Sequence, residues 1–76
     1  MKKTDFVEEL IEIMEREEAI SEDMLLDDIE EWDSLARITF LSFLEFEFGL
    51  TVASDDVKKC IKVSDLMDFV IGKLSD

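Results

Sequence analysis

Between Asp33 and Gly49 the chain carries apolar side chains at Leu35, Ile38, Leu41, Leu44 and Phe48, with Phe40 and Phe43 alongside and no glycine or proline. That spacing follows the period of an α-helix and predicts one over 34–48. Its ends are signalled as well. The Asp33 carboxylate suits a cap on the first turn, and Gly49 followed by Leu50 suits a left-handed residue closing the last turn with an apolar contact behind it. A helix apolar around so much of its circumference must be covered on several sides. It is therefore expected at the centre of the molecule, with Leu35, Ile38, Leu41, Leu44 and Phe48 turned inward.

The rest of the chain supplies the cover. Its 76 residues include no proline and only two glycines, which favours helices over strands and turns. A first amphipathic helix is predicted over 4–18. It turns Val7, Leu10, Ile11 and Met14 inward, widened by Phe6 and Ile13, and Glu8, Glu9, Glu12 and Glu15 outward. Thr4 is its expected cap, and Asp5 suits the positive end of its dipole. Ser54 is expected to cap a short helix near 55–60, opened by Asp55 and Asp56 and closed by Lys58 and Lys59. Ser64 is expected to cap a last helix over 64–74, with Leu66, Met67, Phe69, Val70 and Leu74 inward. Gly72 costs that helix about 1 kcal/mol against alanine, so it is expected to mark a close helix contact. Residues 19–33 show no sustained period but hold Ile20, Met24, Leu25, Leu26, Ile29 and Trp32, and read as an ordered loop pinned to the core. The expected fold is all-α: a small four-helix bundle of three main helices plus one short helix, with a long first loop, in a single domain over 1–76.

One cysteine and no histidine exclude a disulfide framework and a zinc site, so apolar packing alone must hold such a fold. The missing histidine also removes Ser-His-Asp and Cys-His catalysis, and no glycine-rich loop can cradle a nucleotide. A small helical bundle has little room for a substrate cleft; an enzyme is not expected. No apolar run approaches the roughly 20 residues that span a bilayer, and no apolar stretch follows the basic residues near Met1. A soluble, cytoplasmic monomer is expected. Its net charge is −13, unevenly spread: residues 1–34 hold fourteen acidic and three basic side chains, net −11, and residues 35–76 hold seven and five, net −2. Nucleic acid and anionic membrane are poor partners for such a field, whereas proteins with basic patches are good ones. Solvated acidic faces that merely keep the protein soluble leave the same composition.

The residues with chemical promise lie where the acidic loop meets the central helix, at Glu31-Trp32-Asp33-Ser34-Leu35. A serine here has an exposed hydroxyl at a helix N-terminus, where negative charge such as a phosphate is favoured. Taken alone, Asp-Ser is an ordinary capping pair. In its setting, Asp33-Ser34-Leu35 opens a helix that closes Leu44-Glu45-Phe46-Glu47-Phe48-Gly49-Leu50, and Val63-Ser64-Asp65-Leu66 follows later. This resembles the acyl and peptidyl carrier protein family, whose order of helices it also matches over essentially the whole chain. The resemblance implies that Ser34 receives 4′-phosphopantetheine from coenzyme A through a phosphopantetheinyl transferase using magnesium, and that Asp33 helps the transferase recognise the site. It also implies that the arm's thiol carries an acyl or aminoacyl thioester to acyl-activating or acyl-transferring enzymes with basic docking patches. Fatty-acid carriers show a row of acids along the second helix. Here Ala36, Arg37, Thr39 and Ser42 come first and acids appear only at Glu45 and Glu47, so a free-standing carrier of a specialised pathway is expected.

Other readings stay open. Cys60, beside Ile61, is expected to be a buried structural cysteine rather than a reactive thiol. Phe40, Phe43 and Phe46 are expected in the core before a cargo pocket, with an exposed Phe46 as the alternative, serving as a partner contact. An acidic interaction module without a prosthetic group is the alternative function. A calcium loop over 22–33 is disfavoured, because it lacks the central glycine and puts Leu25 and Ile29 among the ligand positions.

Overall fold

The computed structural model describes residues 1–75. Four α-helices follow one another along the chain: α1 (Lys3–Met14), α2 (Ser34–Phe48), α3 (Ser54–Lys58) and α4 (Val63–Asp68). Single 3-10 turns lie at Leu26–Asp28 and Ile71–Lys73. The described residues include no strand, only an isolated antiparallel bridge between Leu25 and Lys62. α2 packs against both α1 and α3. One cluster of buried side chains joins all four helices and the first loop, from Phe6 and Leu10 through Phe40 and Leu44 to Leu66, Met67 and Val70.

The side of α2 that faces this core differs from the expected one. Ala36, Phe40 and Leu44 are buried and Leu41 and Phe48 half-buried, whereas Leu35 and Ile38 are 71% and 61% exposed. Two apolar rows compete on this helix, and aromatic packing decides between them. The Phe40 ring meets Phe6 of α1 edge-on at 6.1 Å and Trp32 of the loop at 5.8 Å. Phe6 also meets Phe43 at 6.0 Å. Buried rings contribute more apolar area than Leu35 or Ile38, and such pairs add about 0.5–1.5 kcal/mol each.

α1 stops at Met14 instead of reaching residue 18. Glu15 takes a left-handed conformation (φ 54°, ψ 39°), and the Arg16 amide donates back to the Ile11 carbonyl at 3.0 Å. The turn brings Ile20 into the same core as Met14, which a straight continuation would prevent. α1 buries Phe6, Leu10 and Met14 and half-buries Val7, Ile11 and Ile13. α4 is likewise shorter than 64–74: it ends at Asp68, and Val70 (φ −126°, ψ 12°) leads into the 3-10 turn. β-branched Val70 and Ile71 followed by Gly72 make a poor helix continuation. Gly72 is exposed, and a Cβ there would meet nothing within 4 Å, so it marks no close helix contact.

The caps also move. Thr4, Ser54 and Ser64 lie inside their helices, and Lys2, Ala53 and Lys62 hold the cap positions. Carboxylates in the first turn reach back in their place. Asp5 accepts the Lys2 amide at 3.1 Å, and Asp65 accepts both the Ile61 and Lys62 amides at 2.9 Å. The end of α2 follows expectation: Gly49 is left-handed (φ 65°), and the Leu50 amide donates to the Leu44 carbonyl at 3.3 Å.

The first loop is ordered and pinned. Ile20, Leu26 and Ile29 are buried, Met24 and Trp32 half-buried, and Ala19 and Leu25 are exposed. Backbone bonds tie it to the α3–α4 connection, with Leu26 donating to Ile61 at 2.8 Å and Val63 to Met24 at 3.0 Å.

Candidate functional site

The loop reaches α2 through a short run of backbone turns. The Trp32 amide donates to Ile29 at 3.1 Å and the Asp33 amide to Glu31 at 3.1 Å, which leaves Asp33 extended (φ −119°, ψ −170°) at the cap position. Its Oδ1 accepts the Ala36 amide at 2.9 Å, and its carbonyl accepts the Arg37 amide at 3.0 Å. Asp33 thereby secures the Ala36 amide, which would otherwise lack a partner, and its carbonyl takes the first regular bond of the helix. Ser34 is the first residue of α2 and its side chain is exposed. The sequence-predicted pair thus sits together at the helix start, with separate tasks: the carboxylate is occupied by the backbone and the hydroxyl faces outward.

Two arginines that the sequence reading did not single out complete the arrangement. Arg37 Nη2 donates to Ser34 Oγ at 3.0 Å. The spacing of three residues on one helix face is the signal that reveals such a pair. Arg16, just past the end of α1, crosses to the loop and donates from Nη1 to Glu31 Oε1 at 2.7 Å; its side chain is only 12% exposed. Nη2 lies 3.4 Å from Glu18, and Nε is buried with no acceptor among the described residues. Glu31's backbone amide, followed by Arg16, holds the Glu31 carboxyl below its ordinary range. No local spacing announces this bond, because its partners lie on separate segments. It braces the residues that precede Ser34 against α1.

Shallow cavities flank the start of α2. One of about 360 Å³ opens between loop, α2 and α3 and is lined by Ile29, Trp32, Arg37, Val57, Lys58 and Cys60 among others. Another of about 300 Å³ opens toward α1, with Met14, Glu31, Asp33, Leu35 and Thr39 on its walls. Cys60 is half-buried rather than fully buried, and its thiol donates to the Asp56 carbonyl at 3.6 Å. Burial, then Asp65, Asp68 and Asp56, push the thiol up to about 11, so it stays protonated and unreactive at neutral pH. Phe40 and Phe43 belong to the aromatic packing around Phe6, while Phe46 is 87% exposed beside Glu45. Phe46 joins Leu35 and Ile38 on the outer face of α2. Among the described residues no group of three or more acidic or cysteine side chains is arranged to hold a metal ion, and no helix is long and apolar enough to cross a membrane.

No protein-family model matches the sequence, and no solved structure matches the chain.

Proposed function

We propose that this protein is an acyl or aminoacyl carrier that bears a 4′-phosphopantetheine arm on Ser34. The observation that carries the reading is the exposed Ser34 hydroxyl at the join of loop and α2, with Asp33 capping beside it and a cation on its oxygen. The residues present fit such a group: the hydroxyl is open to an approaching enzyme, and Arg37 can face a phosphate. In the attachment step Ser34 Oγ forms a bond to the pantetheine-bearing phosphorus of coenzyme A. The bond from that phosphorus to its bridging oxygen breaks, 3′,5′-ADP leaves, and the hydroxyl proton passes to a base of the transferase. Asp33 keeps Ser34 at the first helical position throughout. Once attached, the arm supplies a terminal thiol for thioester chemistry and a long flexible reach.

The proposed arrangement is a small four-helix carrier bundle, cytoplasmic and monomeric, that makes and breaks no cargo bonds itself. Its partners are a phosphopantetheinyl transferase and acyl-activating or acyl-transferring enzymes with basic patches. The sparse acids on α2 favour a specialised biosynthetic pathway. A second reading, an acidic interaction module without a prosthetic group, is favoured by the outer face of α2, where Leu35, Ile38 and Phe46 are all exposed.

The two are separated by incubating the protein with coenzyme A, magnesium and a broad-specificity transferase. The carrier gains the mass of one arm, and Ser34→Ala gains none. The other serines lack this setting: Ser21 and Ser75 lie outside the helices, Ser42 is mid-helix, Ser64 is the second residue of α4, and Ser54, exposed at the first position of α3, follows Ala53 rather than an aspartate cap and precedes Asp55 rather than a leucine. Because Ser34 Oγ is exposed and, among the described residues, bonded only to Arg37, Ser34→Ala should melt within a few degrees of wild type. An unmodified wild type, or a modified Ser34→Ala, transfers the case to the interaction module.

A further inference from the structure

Arg37 differs from the cation in the neighbouring loop. Arg16 is committed to Glu31 and Glu18, whereas Arg37 enters no salt bridge among the described residues, in a chain with twenty-one carboxylates. It is half-buried against the cavity beside α3, and its one side-chain hydrogen bond goes to the Ser34 hydroxyl. A guanidinium is a strong, geometrically specific partner for phosphate oxygens and a wasteful one for a neutral hydroxyl. From this geometry we infer that Arg37 is the positioning residue for the phosphodiester on Ser34, an inference that rests on the carrier reading above.

Charge gives the reason such a residue is needed. Residues 1–34 already hold a net charge of −11, and a phosphodiester on Ser34 adds a further negative charge directly beside Asp33. Esterification also takes the proton from Oγ and leaves it a poor acceptor. The non-bridging phosphate oxygens lie two bonds beyond it, on the phosphorus, within reach of a guanidinium already 3.0 Å from Oγ. Arg37 then exchanges a neutral acceptor for an anionic one without leaving its place at the cavity rim. The charge-assisted bond offsets the repulsion and fixes the direction in which the arm leaves the helix. The pair Arg37–Ser34 is thus poised in the unmodified protein for the modified one.

The experiment compares apo and holo forms of wild type, Arg37→Lys and Arg37→Ala, loaded as above and verified by mass. In the wild type the two forms should melt at similar temperatures at low salt. In Arg37→Ala the holo form should melt about 4–8 °C below its own apo form, the shift produced by losing a partly exposed charge pair at the upper end of its usual worth in a domain of this size. The gap should close in 0.5 M salt, where exposed charges are screened. Arg37→Lys should fall between them, since an ammonium keeps the charge but not the fork. The phosphodiester ³¹P resonance of wild-type holo protein should move on unfolding in urea, and in folded Arg37→Ala it should lie near the unfolded position. Equal melting changes in apo and holo Arg37→Ala would overturn the inference while leaving the carrier reading intact. So would a wild-type ³¹P resonance that is the same folded and unfolded, a test that requires no variant. A wild type that takes up no arm overturns both together.

Discussion

Glu15 is the described non-glycine residue with positive φ (54°). It is also an acid at the C-terminal end of α1, where the helix dipole is negative. Both features are unfavourable: a left-handed L-residue costs about 1–2 kcal/mol, and an anion at this end a few tenths more. Glu15→Gly should therefore raise stability by roughly 0.5–1 kcal/mol despite the greater flexibility of glycine in the unfolded chain. Gly72 presents the opposite case. It lies in a 3-10 turn with open space around its Cβ and no left-handed φ, so Gly72→Ala should add about 0.4–1 kcal/mol by restricting the unfolded chain. Chemical denaturation of the two variants checks both values, and a loss at either site contradicts the backbone assignment there. Neither effect is legible in sequence. The glutamate reads as one more polar helical residue, and the glycine as a packing contact.

α2 has two apolar sides and hides only one. Leu44, fully buried, sits on the same row as Ala36 and Phe40. Leu44→Ala should cost about 2–5 kcal/mol through lost transfer energy and the cavity left behind. Ile38, on the outer face, should tolerate Ile38→Ala within about 0.5 kcal/mol. Urea midpoints of the two variants test the orientation of the helix, and comparable losses at both positions would reverse it. The helix itself, its aspartate cap and its glycine close were all readable from residues 33–50, because caps and propensities are local. Its rotation about its own axis was not, because Leu35 and Ile38 fit a helical stripe as well as Ala36 and Phe40 do. A partner protein covering Leu35, Ile38 and Phe46 would make both readings true at once.

Charge acts across helices. Burial, followed by the acids Glu12, Glu47, Asp5 and Glu8, raises the Glu9 carboxyl above its ordinary value; Glu47 belongs to α2 and the others to α1. A carboxyl raised on folding opposes the folded state once ionised, and the opposition fades as pH falls through its folded pKa. Glu31 and Asp65 act with the other sign. Both are lowered, Glu31 by its own backbone amide and Arg16 and Asp65 by the Lys62 and Ile61 amides. Their support is present above the usual carboxylate range, near about 4, and is lost as pH falls through their lower folded values. Thermal melts should therefore rise as pH falls through the raised Glu9 value, where repulsion among these acids is relieved, and fall once pH drops through the lower values of Glu31 and Asp65. Salt should raise the melting temperature at pH 7 for the same reason. A steady decline from pH 7 downward would show that repulsion is not what limits stability.

What is local in this protein was written in its sequence. The helical class, the pinned acidic loop, the Asp33 cap, the left-handed Gly49 and Ser34 at a helix start each depend on residues within a few positions of one another. The exchange of one apolar row of α2 for another, the early ends of α1 and α4, and the brace from Arg16 to Glu31 came from elsewhere. They depend on which distant side chains compete for the same buried space, and on which charges meet once the chain has closed. Local pattern ranks candidate helices; it cannot rank the pairings among them, because that free energy arises only when Phe6, Trp32 and Phe40 share a core.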